Sequence, residues 1–122
     1  MEVFNCDKVY LDKDNWGGYG VFAKKDIVKG EFVELGLMKR LVNVDGNENP
    51  HVFTWSDDKT VWAIGSGLLS YYNHSDNPNI KKLGDLEKDT MQIIALKDIA
   101  KGDELQGTYM SKKWRKCFIS FN

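Results

Sequence analysis

Leu68-Leu69-Ser70-Tyr71-Tyr72-Asn73-His74-Ser75-Asp76-Asn77-Pro78-Asn79 is the stretch on which the reading of this chain turns. An apolar run ends in three polar residues, and a Pro-containing turn follows at once. Polar groups carried inward at the end of an apolar segment must find partners, because burying one unpaired costs about 1–3 kcal/mol. Pro78 fixes the backbone and Asn79 favours a turn. The strip therefore reads as side-chain amides and backbone groups held ready for a ligand. Further on come Gly102-Asp103-Glu104-Leu105 and, past a short strand signal, Gly107 and Tyr109. A tyrosine hydroxyl near a polar pocket is a candidate positioning or proton-handling group.

Working back toward the start, Gly18-Tyr19-Gly20-Val21-Phe22-Ala23 opens the first strong apolar segment. Glycine removes the side-chain obstacle, so backbone N–H groups there can approach an anionic ligand group. On its own the same tripeptide reads equally well as a tight turn into a strand. No Gly-x-Gly-x-x-Gly follows a strand and opens a helix, so the nucleotide-binding fingerprint is missing.

One internal echo stands out. Ala23-Lys24-Lys25-Asp26-Ile27-Val28-Lys29-Gly30-Glu31 recurs as Ala95-Leu96-Lys97-Asp98-Ile99-Ala100-Lys101-Gly102-Asp103, with six of nine positions identical. The shared pattern is a β-corner. A strand ends, Asp and Lys turn the chain, Ile packs inward, and Gly supplies a positive φ before the next strand. One repeated corner is not a solenoid, which stacks several units.

Gly, Asn and Asp punctuate the rest at short intervals, so many short strands are expected. The segments are 8–12, 20–23, 31–36, 38–44, 51–56, 60–64 and 91–96. Leu68 to Asn73 reads as a short helix and Ser111 to Phe118 as a weaker one. Residues 45–50 and 84–89 read as loops. The fold class is mainly β with short helices.

At 122 residues the chain is of single-domain size, and the whole of 1–122 is read as one domain. It is 42% hydrophobic and 12% aromatic, enough for one core. A formal charge of −1, from 17 basic and 18 acidic residues, argues against direct nucleic-acid binding. No apolar run approaches the ~20 residues of a membrane span, and no signal peptide is expected. Cys6 and Cys117 are read as reduced thiols rather than a disulfide. The protein is expected to be intracellular and not secreted.

Three patterns together give the chain a family likeness. Ser70-Tyr71-Tyr72-Asn73-His74-Ser75 with Pro78-Asn79, Gly102-Asp103-Glu104-Leu105 with Tyr109, and Gly18-Tyr19-Gly20-Val21-Phe22-Ala23 occur in the order found in SET-domain protein-lysine methyltransferases. The chain resembles a minimal, viral-type SET domain. The resemblance implies a fold of several small sheets with a knot-like C-terminal threading. It implies S-adenosyl-L-methionine as methyl donor and a lysine-containing protein or peptide, a histone among the options, as acceptor. Cytoplasm, or host nucleus if the source is viral, is the implied location, and the protein would be a monomer or homodimer.

Residue by residue, the resemblance makes Tyr109 catalytic. It gives Gly18, Tyr19, Gly20, Asn73, His74 and Trp114 to the cofactor, and Tyr19, Tyr72 and Gly107 to the channel for the substrate lysine. Gly107 leaves room beside that channel. No metal is expected, since the Cys-rich flanks of many histone methyltransferases are missing and a zinc site takes about four ligands. The blander readings are a core-bound tyrosine for Tyr109 and a hydrogen-bonded core histidine for His74. Lys112-Lys113-Trp114-Arg115-Lys116 reads as a solvated helix face, a nuclear signal or, by the resemblance, part of a lid with Trp114 over the cofactor. Tyr109 is followed by Met110-Ser111 where the family commonly has Gly and Asp. That departure supports an alternative: a SET-fold binding module with weak or no turnover.

Overall fold

The computed structural model describes residues 7–42, 53–56 and 61–108. Tyr109, Trp114, both cysteines, His51, the Ser111–Phe118 helix and the C-terminal threading lie outside them.

Among the described residues, nine strands form two small sheets. They are β1 (Val9–Lys13), β2 (Tyr19–Ala23), β3 (Phe32–Leu41), β4 (Phe53–Thr54), β5 (Trp62–Gly65), β6 (Asn73–His74), β7 (Ile80–Asp85), β8 (Thr90–Ala95) and β9 (Glu104–Gly107). The first sheet has the order β1-β2-β9-β6, the second β4-β5-β3-β8-β7. All pairings are antiparallel except β6 with β9, which is parallel. The chain is mainly β, as its sequence implies.

Val9, Val21, Ala23, Ile27, Leu69, Tyr72, Ile93 and Leu105 belong to one buried cluster shared by the two sheets. Alternation sets which residues enter it. On β8 the buried residues are Thr90, Met91, Ile93 and Ala95, so the period of two holds from Met91 onward.

The structure corrects several boundaries. The segments 31–36 and 38–44, read as two strands, join in one ten-residue strand, Phe32–Leu41, with positions 43 and 44 outside the described residues. Gly36 does not break it. A Cβ there would lie 2.6 Å from Leu69 Cδ1, so Gly36 is a close-approach site inside a continuous strand. The helix expected over 68–73 shrinks to a single 3-10 turn at Leu69–Tyr71, and Asn73-His74 is already strand. The loop expected at 84–89 begins two residues late, because Gly84 and Asp85 finish β7. β7 is not among the expected strands. Its sequence, Ile-Lys-Lys-Leu-Gly-Asp, carries too few apolar residues to signal one, and pairing with β8 over six residues forms it.

β3 carries a bulge. Phe32 pairs with Ile94 but Glu34 with Ile93, so one extra residue lies between them. The shift turns Val33 and Glu34 inward together.

Candidate functional site

β2, β6 and β9 converge on Asn73. Its Nδ2 lies 2.8 Å from Glu104 Oε2 on β9 and 3.0 Å from Asp14 Oδ2 in the β1–β2 loop. The Tyr19 carbonyl is a longer third neighbour at 3.4 Å. An amide nitrogen carries two protons, and two carboxylates take them. These contacts engage the amide nitrogen and leave the amide oxygen, an acceptor, outside the carboxylate pair.

Asp14 also builds the loop that carries Gly18 and Gly20. Its Oδ1 accepts from the backbone N–H of Trp16 at 2.8 Å and of Gly18 at 2.9 Å. Its own N–H donates to the Gly18 carbonyl at 3.0 Å. Gly17 takes the left-handed φ of 87° that this tight loop needs. Gly18, expected to offer its N–H to a cofactor, spends it on Asp14 instead. Burial pushes the Asp14 carboxyl up, but the hydrogen bonds from Gly18, Trp16 and Asn73 outweigh it and hold Asp14 below its usual range.

Gly20 sits against the same cluster. A Cβ there would lie 2.5 Å from Glu104 Oε2 and 3.0 Å from Asn73 Nδ2. Glycine is the residue that lets the β2 backbone reach this pair. Burial raises the Glu104 carboxyl; the Asn73 amide pulls it down and the Asp14 charge pushes it up again, so it stands above its usual range. Neither Glu104 nor Asp14 is among the site residues expected from the sequence. The Glu of Gly102-Asp103-Glu104-Leu105 is a signal for one of them; Asp14 carries none.

His74 Nε2 is 2.8 Å from Asp76 Oδ1, and the ring is largely covered. His74 bridges Gly107 in the parallel β6–β9 pair. Ser75 N–H donates to the Gly107 carbonyl at 2.8 Å, and Thr108 Oγ1 donates to the Ser75 carbonyl at 3.0 Å. Asn79 staples the other end of β9. Its Nδ2 donates to the Glu104 carbonyl at 2.9 Å, and its Oδ1 accepts from Gln106 N–H at 2.8 Å. The amide of Asn79 thus pairs with β9 as a strand would. Tyr19 lies at the rim, 52% exposed.

Two channel expectations meet contrary packing. Tyr72 has no exposed surface, and its hydroxyl donates to Glu34 Oε1 at 2.7 Å. The β3 bulge that turns Glu34 inward fixes this, and Leu68 N–H donates to Glu34 Oε2 at 2.8 Å. Tyr72 is a core residue. The room expected beside Gly107 is also filled. A Cβ on Gly107 would lie 3.0 Å from Ile80 Cδ1 and 3.3 Å from Lys82 Cε.

Among the described residues no group of three or more His, Cys, Asp or Glu side chains is placed to hold a metal ion.

Residues 18–110 match the family model described as "SET domain". Among curated proteins, the chain is 30% identical over 116 residues to the histone-lysine N-methyltransferase trr of Drosophila melanogaster, covering 84% of this chain and 5% of that protein. It is 32% identical over 111 residues to histone-lysine N-methyltransferase EZH2 of Chaetomium thermophilum, covering 75% of this chain and 7% of that one. The chain thus spans a small part of these relatives. Among solved structures it is similar to a Plasmodium falciparum protein assigned as a histone methyltransferase. There the TM-score is 0.68 at 27% identity, covering 85% of this chain and 94% of the other.

Proposed function

The chain belongs to the SET-domain family, and we propose that it transfers a methyl group from S-adenosyl-L-methionine to a lysine side chain of a protein, a histone being the first to test. The observation that carries this is the cradle at Gly20. Three strands from distant parts of the sequence close on one amide, and its nitrogen is tied between two carboxylates. Such a donor set suits a ligand end that is cationic. S-adenosylmethionine carries an α-ammonium and a sulfonium, and the negative pair Asp14–Glu104 complements both.

Tyr19, Gly20, Asn73 and His74 would hold the methyl donor, with Gly18 shaping the loop and Trp114 covering it. When bound, the donor supplies an electrophilic methyl on positive sulfur. The protein's own tasks are alignment, exclusion of water and loss of the lysine proton. A free lysine has a pKa near 10.4, so presenting the neutral amine at pH 7 costs about 4.6 kcal/mol. A nearby like charge and a dry channel both lower that cost. Tyr109 would orient the amine toward the methyl.

Titration calorimetry with S-adenosylmethionine or S-adenosylhomocysteine tests the reading, followed by incubation of the protein with labelled donor and core histones. One site per chain and labelled histone are the expected results. Absence of both binding heat and thermal stabilisation would overturn it. Binding without transfer to any protein would favour the binding-module alternative.

A further inference from the structure

Strand alternation gives the five-stranded sheet an inner and an outer face. On β7, Ile80, Lys82 and Gly84 lie on the inner face and Lys81, Leu83 and Asp85 on the outer; Ile80 is buried, whereas Lys81 and Leu83 are exposed. Pairing carries the outer face across β8 to β3 in three rows. Lys81 pairs with Ile94, and Ile94 with Phe32. Leu83 pairs with Gln92, and Gln92 with Leu35. Asp85 pairs with Thr90, and Thr90 with Leu37. Without the bulge on β3, Phe32 would fall on the inner face with Glu34 and Gly36. The extra residue brings it into line with Leu35 and Leu37.

The outer face is apolar for a surface turned to water. Phe32 is 51% exposed, Leu37 45% and Leu83 38%, with Leu35 and Ile94 half-buried among them. An antiparallel sheet with one solvated side ordinarily carries polar residues on it, and a contiguous exposed apolar patch marks an interaction surface. Charges flank this one along β7, whose outer positions read Lys81, Leu83, Asp85: positive, apolar, negative.

We propose that two copies of the chain meet through this face, as a two-fold dimer whose axis runs along the row Leu83, Gln92, Leu35. A two-fold interface sets one patch against itself. With the axis on the middle row, each strand faces its own copy running the opposite way. Leu83, Gln92 and Leu35 then meet their own copies, Phe32 meets Leu37, and Ile94 meets Thr90. Lys81 meets Asp85, once at each end. The apolar side chains leave water together, and every charge faces its opposite.

The order of charges favours a second copy over other occupants. A partner or lipid surface of one sign would match one end of β7 and repel the other. Sheets packed face to face lie about 10 Å apart and aligned within about 30°, a gap that paired leucine, phenylalanine and lysine–aspartate side chains fill. The rim ion pairs add little affinity; they fix the register, and the apolar rows supply the drive. Asn73 and Glu104 belong to the other sheet, so the inference does not rest on the methyltransferase reading.

Analytical ultracentrifugation of the purified chain over a concentration series tests it. The expected species is a dimer that dissociates on dilution. Leu83→Glu sets two carboxylates against each other on the axis and should raise the dissociation constant about tenfold or more. Lys81→Glu and Asp85→Lys should each weaken self-association severalfold, because like charges then face at both ends. Mixing these two variants should restore the dimer, since in the mixed pair every charge again faces its opposite. Asp85 also accepts from the N–H groups of Glu87 and Lys88, so a melting curve accompanies each variant. One readout needs no substitution. An amine-acylating reagent should modify Lys81 severalfold less in concentrated than in dilute protein, with Lys13 on β1 as the unchanged control. A monomer at every concentration would overturn the proposal. So would a dimer that Leu83→Glu leaves intact, charge variants that stay dissociated when mixed, or Lys81 acylation that does not vary with concentration.

Discussion

Ile27 and Ile99 exchange both backbone hydrogen bonds, each N–H donating to the other's carbonyl at 2.8 Å. They are the matching residues of the repeated corner, so the two copies clasp one another. The symmetry extends outward. Lys29 N–H donates to Asp98 Oδ1 at 2.8 Å, and Lys101 N–H to Asp26 Oδ1 at 2.9 Å. Gly30 N–H donates to the Ala95 carbonyl and Gly102 N–H to the Ala23 carbonyl, both at 2.8 Å. The clasp joins the end of β2 to the start of β9 and the start of β3 to the end of β8, and β2 and β9 carry Gly20 and Glu104 of the Asn73 cluster.

Gly30 and Gly102 carry φ of 90° and 91°, with open space where a Cβ would be. Replacing either by alanine meets no clash, only the left-handed backbone penalty of about 1–2 kcal/mol. The expected result is a lower melting temperature, similar for Gly30→Ala and Gly102→Ala. A loss confined to one of them in thermal denaturation would show that the two corners are not equivalent.

Gly20→Ala puts a methyl group into the Glu104–Asn73 contact. The strand should persist, since its φ is ordinary, while the carboxylate is pushed aside. Donor affinity is expected to fall with little change in stability. Asn73→Ala should weaken binding on the order of 1–3 kcal/mol. Calorimetry and a melting curve on each variant check both, and unchanged affinity in both would remove the cluster from the donor site.

Tyr72→Phe removes the hydroxyl from a buried carboxylate. Burial raises the Glu34 carboxyl above its usual range, while the hydrogen bonds from Tyr72 and Leu68 pull it back. A carboxyl raised on folding gives stability that is full below its unfolded pKa and is lost as pH rises through the folded one. The Tyr72 hydroxyl offsets part of that loss by favouring the ionised form. Tyr72→Phe should therefore cost about 1–3 kcal/mol, least in acid and more as pH rises. Denaturant unfolding across pH measures it. A core role predicts unchanged methyl transfer per folded molecule, and a channel role predicts altered transfer with intact stability.

Tyr109→Phe keeps the ring and removes one oxygen. If the hydroxyl aligns the amine during transfer, turnover should drop by roughly 2.7–4 kcal/mol of transition-state stabilisation, about a hundredfold to a thousandfold. Donor binding should survive, the pattern of an interaction made in the transition state. Single-turnover kinetics beside calorimetry on one preparation decide it. A folded, donor-bound variant with wild-type turnover would take Tyr109 out of the mechanism.

The sequence by itself determined the class and the landmarks. Short apolar segments between turn residues set a mainly β chain. The two corner glycines were legible because a positive φ is a local demand that one residue answers. Three ordered motifs placed Gly18 to Gly20, Asn73-His74 and Tyr109 in one family. Tertiary structure decided what those landmarks touch. Asp14 lies 59 residues from Asn73, and nothing local brings them together; the pairing of β1, β2, β9 and β6 does. A single inserted residue on β3 sends Glu34 inward and takes Tyr72 into the core. The register of β7 on β8 sends Lys82 in and Lys81 out, a choice that two adjacent lysines cannot reveal. Propensity acts over a few residues, whereas the facing of a side chain in a sheet is fixed by register, which is settled only when distant strands meet.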